Sequence, residues 1–241
     1  MILFLGCSLT WGQGLQIEKW LNEGKSIQFC NENSSPEYHA EHMSYDDDEF
    51  RKSNSYPNLV AKELNVSYST KWGNGGSNDE ILFIIENIEK LIHEYTVELI
   101  VIQFTDMVRD DMFDYIERNN LYELVELDLK NQINKINFKL SKNGINIPWI
   151  GLSWHDEHSS FLKKYYNKNF INLHYNDMIF DSLSSLNKYG KENGLMFELC
   201  DKYRGIHDGH PTIEWHEIVS SSILKKIKDE NVSFIRYNTN F

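Results

Sequence analysis

Residues 1–14 read MILFLGCSLTWGQG, in which an apolar run ends at a glycine and a serine follows within a glycine-rich segment. The run at residues 2–5 predicts a buried parallel strand, and Gly6 predicts a tight turn directly after it. A serine at such a strand-to-helix turn has its hydroxyl above the edge of the sheet, where the following backbone N–H groups can receive an oxyanion. Ser8 is therefore a candidate nucleophile. A plain turn or a phosphate-binding loop is the alternative, although the segment lacks the Lys-Ser/Thr ending of a P-loop.

Strand-like and helix-like segments alternate along the rest of the chain. Predicted strands cover residues 66–71, 99–104 and 147–152, with a weaker fifth strand at 170–173. Predicted helices begin near residues 55 and 78, cover about 110–140 and 177–186, and include a last helix with apolar positions Val219, Ile223, Leu224 and Ile227. This alternation predicts an α/β fold, with a parallel sheet, helices on both faces and a site outside the carboxyl ends of the strands.

A polar segment at about residues 22–54 interrupts the pattern. Asn, Ser and Glu dominate it, and residues 46–49 are four successive carboxylates. We interpret the segment as a solvated insertion or lid loop within a single domain that covers residues 1–241, because no linker or internal repeat divides the chain. A divalent-cation site at the four carboxylates is the alternative.

Composition and charge limit the partners of the protein. The 241 residues carry a formal net charge of -12, from 36 acidic and 24 basic residues, without a basic stripe, which argues against nucleic acid as a partner. The three cysteines cannot all pair and lack the spacing of a zinc site, so we expect reduced thiols and no metal. The first residues lack a basic region and a cleavage site, and no stretch of about 18 apolar residues follows. We therefore expect a soluble cytoplasmic protein without a membrane span, and a phage origin is compatible with this.

Residues 73–78 (GNGGSN) form a second glycine-rich segment, between the second predicted strand and its helix. Neighbouring glycines let the backbone approach a ligand closely, and unpaired N–H groups at the start of a helix face any negative charge there. The segment therefore fits an oxyanion site. A flexible turn with Ser77 as an ordinary helix cap is the alternative.

Residues 207–211 (HDGHP) lie in a predicted loop just before the last helix. A loop that presents histidine beside aspartate can supply a general base and the carboxylate that orients it. His207 and His210 are both candidate bases. We favour His210, because Pro211 restricts it to an extended backbone outside the following helix and lets its ring project from a fixed loop. His216, within the helix, is interpreted as a packing or capping residue.

Together these segments resemble the SGNH hydrolases, also called the GDSL family of esterases and lipases. Residues 6–10 resemble that family's Gly-Asp-Ser-x-Thr motif with Cys7 in place of Asp, and residues 8–14 are similar to a Ser-x-Thr-Trp-Gly-Gln-Gly variant of bacterial and phage members. The resemblance covers nearly the whole chain. It implies a three-layer α/β/α fold of the flavodoxin-like type with a five-stranded parallel sheet, no cofactor, Ser8 as nucleophile and His210 as base. It also implies the N–H groups of Ser8 and Gly75 as oxyanion donors.

The third block of the family, Gly-x-Asn-Asp, is not matched. That block follows the third strand and supplies an asparagine to the oxyanion hole, whereas residues 103–109 read QFTDMVR. Thr105 or Asp106 takes the place of this asparagine, depending on register; a threonine hydroxyl can donate a hydrogen bond, but an ionised aspartate only accepts. Asn78 or Asn74 is a further candidate donor. Loss of one such donor typically costs about 10²- to 10³-fold in rate.

The last block also departs from the family, which has aspartate three residues before the histidine. Here His207 holds that place, and Asp208 lies two residues before His210. We choose Asp208 as the acid, because an offset of two residues within a loop can fold the carboxylate back onto the ring. A Ser–His dyad without a strong acid is the alternative, and Asp201 is the next candidate acid if His207 is the base.

These residues predict a serine esterase that cleaves an acyl ester, acetyl esters included, of a small molecule or a carbohydrate through an acyl-enzyme. Trp11, Trp72, Trp154 and Trp215 are expected near the substrate, because aromatic faces suit sugar rings and acyl chains; core packing is the alternative for each. The missing asparagine motivates a second interpretation, a binding or structural module that keeps the fold with weakened catalysis. A metal-dependent hydrolase built on residues 155–158 and 46–49 is the third, although the histidines lack the spacing of a zincin helix.

Overall fold

The computed structural model describes most of the chain, in residues 1–34, 43–72, 76–106, 109–121, 123–142, 146–156, 162, 164–166, 168–197, 203–232 and 234. The centre of this part is a sheet of four parallel strands: β1 (Ile2–Gly6), β2 (Tyr68–Trp72), β3 (Leu99–Gln103) and β4 (Trp149–Leu152). Their order in the sheet is β2-β1-β3-β4. Each strand overlaps its predicted range, and the predicted α/β fold with a parallel sheet is confirmed.

The register brings the carboxyl ends of three neighbouring strands to one edge of the sheet. Leu5 of β1 pairs with Ile102 of β3, and Ile102 pairs with Gly151 of β4. Residues that follow these strands by two or three positions therefore lie side by side above the same edge. This edge is where an open parallel sheet places its ligands.

Helices surround the sheet along the described part of the chain. They are α1 (Ser8–Trp11), α2 (Leu15–Asn22), α3 (Ile27–Asn33), α4 (Tyr45–Asn54), α5 (Tyr56–Leu64), α6 (Asn78–Glu86), α7 (Ile88–Glu94), α8 (Asp111–Arg118), α9 (Leu124–Ser141), α10 (Leu183–Asn193) and α11 (Ile213–Asp229). The predicted starts of α5 and α6 are confirmed, since Pro57 lies in the first turn of α5 and the Ser77 hydroxyl caps α6 by accepting the N–H of Glu80.

Two apolar clusters, one on each face of the sheet, form the core. Successive residues of a strand point to opposite faces, so Ile2 and Phe4 of β1 enter one cluster and Leu3 and Leu5 enter the other. Helices α5, α10 and α11 cover the first cluster, and α6, α7 and α9 cover the second. Both faces of β1 and β3 are therefore buried, which explains their uninterrupted apolar sequences.

The fifth parallel strand is not confirmed. In the described chain, the segment predicted at residues 170–173 contributes to the sheet one parallel bridge, from Phe170 to Gly151. The chain then forms an antiparallel hairpin of β5 (Leu173–Tyr175) and β6 (Met178–Phe180). The predicted helix at residues 177–186 is thus wrong in its first half. Asn176 adopts a left-handed conformation with φ 52°, which forms the hairpin turn and breaks the helix pattern.

The predicted loop at residues 22–54 is largely helical where the structure describes it. Helix α3 begins after Ser26, and α4 begins after Ser44, whose hydroxyl accepts the N–H of Asp47 at 3.1 Å. Carboxylates in the first turn of α4 are favourable beside the positive end of a helix dipole. The loop prediction is therefore wrong for residues 27–33 and 45–54, and residues 35–42 lie outside the described part.

The carboxylates of α4 bind cationic side chains of the protein itself. Asp47 lies 2.6 Å from the Nζ of Lys19, and Asp48 binds both Arg51 and Lys52. Among the described residues, no group of three or more histidine, cysteine, aspartate or glutamate side chains is arranged to hold a metal ion. The cation alternative for this segment thus gains no support from the described geometry.

Within the described ranges, no helix has both the length and the apolar character that crossing a bilayer requires. Cys7 and Cys30 are free, buried thiols. Cys200 lies outside the described residues.

Candidate active site

The turn that carries Ser8 is shaped by its glycines. Strand β1 ends at Gly6, Cys7 has an extended backbone, and α1 begins at Ser8 and ends after one turn. Gly12 adopts φ 84° and donates its N–H to the carbonyls of Ser8 and Leu9, a left-handed termination that glycine allows without steric cost. The Ser8 side chain therefore stands directly above the carboxyl end of β1.

The loop before α11 folds Asp208 back onto His210. Oδ1 of Asp208 accepts two hydrogen bonds of 2.7 Å, one from the backbone N–H of His210 and one from its ring Nδ1. Met196 and Pro211 form an antiparallel bridge, and Phe197 donates its N–H to the His210 carbonyl, so residues 196–197 hold the loop at the histidine and at the proline that follows it. The offset of two residues predicted to allow an Asp–His contact does so.

A hydrogen bond links this loop to the start of the chain. Nε2 of His210 lies 3.2 Å from Oγ of Ser8. With Nδ1 protonated and bound to Asp208, Nε2 carries a lone pair and accepts the Ser8 hydroxyl. Asp208 is buried at 6 % exposure and Ser8 at 7 %, whereas the His210 ring is partly open to solvent. The structure thus joins Ser8, His210 and Asp208 in one chain of hydrogen bonds.

The predicted donors for an oxyanion are placed unequally. Gly75 and Asn74 lie outside the described residues. The Asn78 amide donates to the Thr105 carbonyl at 3.3 Å and to Asp110 at 3.0 Å, so both of its hydrogens are engaged. These bonds join the start of α6 to the segment after β3, and they give no support to Asn78 as an oxyanion donor, a role that stays a prediction. Thr105 donates its N–H to the same Asn78, and its buried hydroxyl lies 3.5 Å from the Asn78 Oδ1.

Asp106, the other residue considered for that position, faces the next strand. Its carboxylate lies 3.1 Å from Nε2 of His155, which follows β4. Asp156 accepts a hydrogen bond from the Ser182 hydroxyl at 2.5 Å, and His158 lies outside the described residues. The described members of the predicted metal cluster at residues 155–158 thus bind protein groups.

Asp110 is a buried residue of this region that the sequence did not single out. It accepts the backbone N–H of Asn78 at 2.7 Å and a hydrogen bond from Gln132 at 3.1 Å, and it thereby caps α6. Burial raises the pKa of its carboxyl above the usual value, while these hydrogen bonds oppose the rise. A single aspartate before a predicted helix gave no signal of this contact, because its partners lie 22 and 32 residues away.

Arg51 of α4 is a second residue that sequence analysis missed. Its guanidinium donates to the Trp11 carbonyl at the end of α1 and lies 4.0 Å from the centre of the Trp11 ring. Asp48 binds the other side of the guanidinium. Burial lowers the pKa of Arg51, and the carboxylate of Asp48 opposes this effect. The polar insertion therefore contacts the turn that carries Ser8.

The tryptophans predicted to line the site occupy different environments. One face of Trp11 is in contact with Arg51, as described above. Trp72 belongs to β2, but its side chain is outside the described part. Trp154 is half-buried against the first apolar cluster, and its ring lies edge-on to His155 with centres 6.5 Å apart. Trp215 is 0 % exposed within the first apolar cluster and donates its ring N–H to Asn187, so its expected place near the substrate is wrong and core packing is its role. For the other three tryptophans, contact with substrate stays a prediction.

The other two histidines near His210, one in the same loop and one in α11, differ sharply in exposure. His207 is exposed and donates its backbone N–H to Asn31. His216 is fully buried, accepts the backbone N–H of Tyr56 on Nδ1, and has a pKa that burial lowers from 6.5 to about 3. Packing is therefore the role that the structure supports for His216, as the sequence predicts.

No protein-family model and no curated protein matches this sequence. Among solved structures, the chain is similar to a protein from Desulfitobacterium hafniense assigned to the G-D-S-L family of lipolytic proteins, with a TM-score of 0.49 and 12% identity over 93% of this chain and 98% of the other. It is also similar to an active-site mutant of a family two carbohydrate esterase from Clostridium thermocellum, with a TM-score of 0.47 and 14% identity over 95% of this chain. The chain spans 63% of the length of that esterase.

Proposed function

We propose that the protein is a serine hydrolase that cleaves an ester bond, with Ser8 as nucleophile, His210 as general base and Asp208 as the acid that orients it. The observation that carries this proposal is the chain of hydrogen bonds from Ser8 through His210 to Asp208. A serine, a histidine and an aspartate with these mutual contacts match the arrangement by which serine hydrolases transfer acyl groups, whatever their order in the sequence.

In this proposal each of the three groups has its own step. His210 takes the hydroxyl proton of Ser8 on Nε2 while Oγ attacks the carbonyl carbon of the ester, and Asp208 stabilises the resulting imidazolium. The tetrahedral intermediate collapses, the C–O bond to the alcohol breaks, and His210 returns the proton to the leaving oxygen. Water then attacks the acyl-enzyme with His210 again as base, which releases the acid and restores Ser8.

Backbone N–H groups are the proposed main oxyanion donors. Ser8 is the first residue of α1, so its N–H has no acceptor within that helix. We assign the second backbone donor to Gly75 and a side-chain donor to the Thr105 hydroxyl. If Thr105 donates only to the developing oxyanion, Thr105→Val lowers kcat about 10-fold with little change in KM, whereas Thr105→Ser retains most of the rate.

The substrate in this proposal is an acyl ester of a small molecule or carbohydrate, with Trp11, Trp72 and Trp154 near the acyl or alcohol group. A binding module with weakened catalysis is the second candidate. The observation that favours it is that the Asn78 side-chain amide donates its two hydrogens to Thr105 and Asp110 and has no further hydrogen to offer an oxyanion.

A panel of acyl esters, from acetyl to long-chain and including acetylated sugars, tests the proposal in parallel with labelling by a fluorophosphonate. We expect turnover of at least one ester, labelling of Ser8 detected by mass spectrometry, and a loss of about 10³-fold or more in Ser8→Ala. Absence of both turnover and labelling in the wild-type protein would favour the binding module.

A further inference from the structure

A continuous chain of buried hydrogen bonds runs behind Ser8. Gln103 at the end of β3 accepts the Thr10 hydroxyl at 2.6 Å, and the Thr10 oxygen lies 2.8 Å from the hydroxyl of Tyr56. Tyr56 in turn donates its backbone N–H to Nδ1 of His216 at 3.2 Å. All four of these residues are 0 % exposed. Buried polar groups are costly unless they are paired, so these bonds favour one arrangement of the four residues; among the described residues, Nε2 of the His216 ring has no hydrogen-bond partner.

The direction of each hydrogen bond in this chain is fixed. The single hydroxyl proton of Thr10 goes to the Gln103 carbonyl oxygen, which can only accept, so Tyr56 donates its hydroxyl proton to Thr10. Burial raises the pKa of Tyr56 far above its usual value, and the phenol therefore keeps this proton. His216 stays neutral and remains an acceptor, since burial keeps its pKa at about 3.

The chain of bonds connects the two elements that carry the proposed catalytic groups. Thr10 lies in α1, two residues after Ser8, whereas His216 lies in the first turns of α11, six residues after His210. Tyr56, the first residue of α5, bonds to both elements. Its ring also stacks on the His216 ring, with centres 5.8 Å apart and planes 20° apart.

The turn before Ser8 is built around the Thr10 hydroxyl. A Cβ atom on Gly6 would overlap Oγ1 of Thr10, so a residue without a side chain is needed there. Gln103 contacts the other flank of the serine as well, because its amide nitrogen lies 3.1 Å from the sulfur of Cys7. The residues one before and two after Ser8 are thus both held from β3.

We propose that Tyr56 is a positioning residue, which sets the distance between the Ser8 turn and the helix that follows the His210 loop. This inference rests on the proposed function. The Ser8–His210 contact joins residues 202 positions apart, and a displacement of about 1 Å between such groups costs about 10²-fold in rate. Tyr56 opposes that displacement by bonding to both sides.

Removal of single hydroxyl groups tests this role. We expect Tyr56→Phe and Thr10→Val each to lower kcat about 10-fold with KM within about twofold, and the double variant to be scarcely worse, because the two groups share one bond. Thr10→Ser, which keeps the hydroxyl, should retain activity. Val60→Ala, a buried change in the same helix without a hydrogen bond, is the control: it should lower the melting temperature and leave kcat unchanged.

Two results would overturn the inference: a kcat in Tyr56→Phe within about twofold of wild type, or an equal loss in Val60→Ala measured well below both melting temperatures. Failure of the proposed function is recognised separately, by a wild-type protein that neither hydrolyses esters nor reacts with the fluorophosphonate. In that case the downfield NMR signal of the His210 Nδ1 proton, assigned by its loss in His210→Ala, tests whether Tyr56 positions His210. Tyr56→Phe should shift it and Val60→Ala should not, and an unchanged signal in Tyr56→Phe would refute the inference.

Discussion

Gly14 and His210 approach each other so closely that a side chain does not fit between them. A Cβ atom on Gly14 would lie 2.9 Å from Cβ of His210 and 3.3 Å from Oδ1 of Asp208. Gly14 also adopts φ 90°, in the left-handed region. The second glycine of the Trp-Gly-Gln-Gly segment is therefore required both by its backbone and by the loop packed on it.

We predict that Gly14→Ala lowers kcat about 100-fold, because the added methyl group displaces the His210 ring from Ser8. Gly24→Ala is the matched control, since Gly24 has φ 79° but no atom within 4 Å of an added Cβ. It should carry a similar backbone strain of about 1 kcal/mol and keep its activity. Equal kcat values in the two variants, measured on the best ester of the panel, would contradict this account.

The choice between the two histidines of the last block gives a second prediction. His210→Ala should match Ser8→Ala in its loss of turnover, and the double variant should be scarcely worse, because residues that act as one unit are not additive. His207→Ala should stay within about 10-fold of wild type, since His207 is exposed and bonded through its backbone to Asn31. Steady-state kinetics on one ester decides between them, and a reversal of the two phenotypes would make His207 the base.

Arg51 and Lys52 offer a matched pair for the contribution of the polar insertion. Both bind Asp48, but Arg51 is 4 % exposed and Lys52 is 47 % exposed. Arg51→Met removes the buried donor to the Trp11 carbonyl and the guanidinium contact with the Trp11 ring, so it should lower the free energy of unfolding by about 2 kcal/mol. Lys52→Met should lower it by less than about 1 kcal/mol. Urea unfolding measures the two losses of stability. Equal losses would argue against a stabilising contact between Arg51 and Trp11 of α1.

His216 makes stability depend on pH in a defined direction. Its folded pKa is lowered from 6.5 to about 3, so its contribution is present above pH 6.5 and is lost as the pH falls toward 3. In this window the unfolded chain binds one more proton, which costs about 1.4 kcal/mol per pH unit. The free energy of unfolding, measured with urea at several pH values between about 7 and 4, should fall less steeply with decreasing pH in His216→Gln than in wild type. The control His174→Gln changes an exposed histidine and should keep the wild-type dependence of stability on pH. If His216→Gln also kept it, His216 would not be the source of this pH dependence.

Local patterns in the sequence predicted most of the fold. The apolar runs of β1 and β3 are buried on both faces, and such runs identify inner strands of a parallel sheet. The prediction of a fifth strand failed because periodicity cannot show whether an apolar segment pairs with a neighbouring strand along its whole length. The helix predicted at residue 177 ignored the turn signal of Asn176, and the loop predicted at residues 45–54 ignored Ser44 followed by acidic residues, a pattern typical of a helix start.

Local sequence patterns predicted only part of the candidate site. The contact between Asp208 and His210 is local, and an offset of two residues was enough to predict it. The clamp of Asn78 on Thr105 and the bond from Tyr56 to His216 join residues 27 and 160 positions apart, which a single sequence does not reveal. Long-range partners of buried polar groups therefore became known only from the structure.

The position of β1 has a consequence for the order of folding. Although β1 is the earliest strand in the sequence, it lies between β2 and β3, so its edges stay unpaired until residues 68–72 and 99–103 are in place. Contacts between distant parts of a chain form slowly, because the intervening loop must first lose its conformational entropy. Docking of α11, which brings His210 to Ser8, spans nearly the entire polypeptide. During refolding, the proposed reactivity of Ser8 should therefore appear after the sheet has formed, and a nascent chain should not react with the fluorophosphonate until α11 has docked.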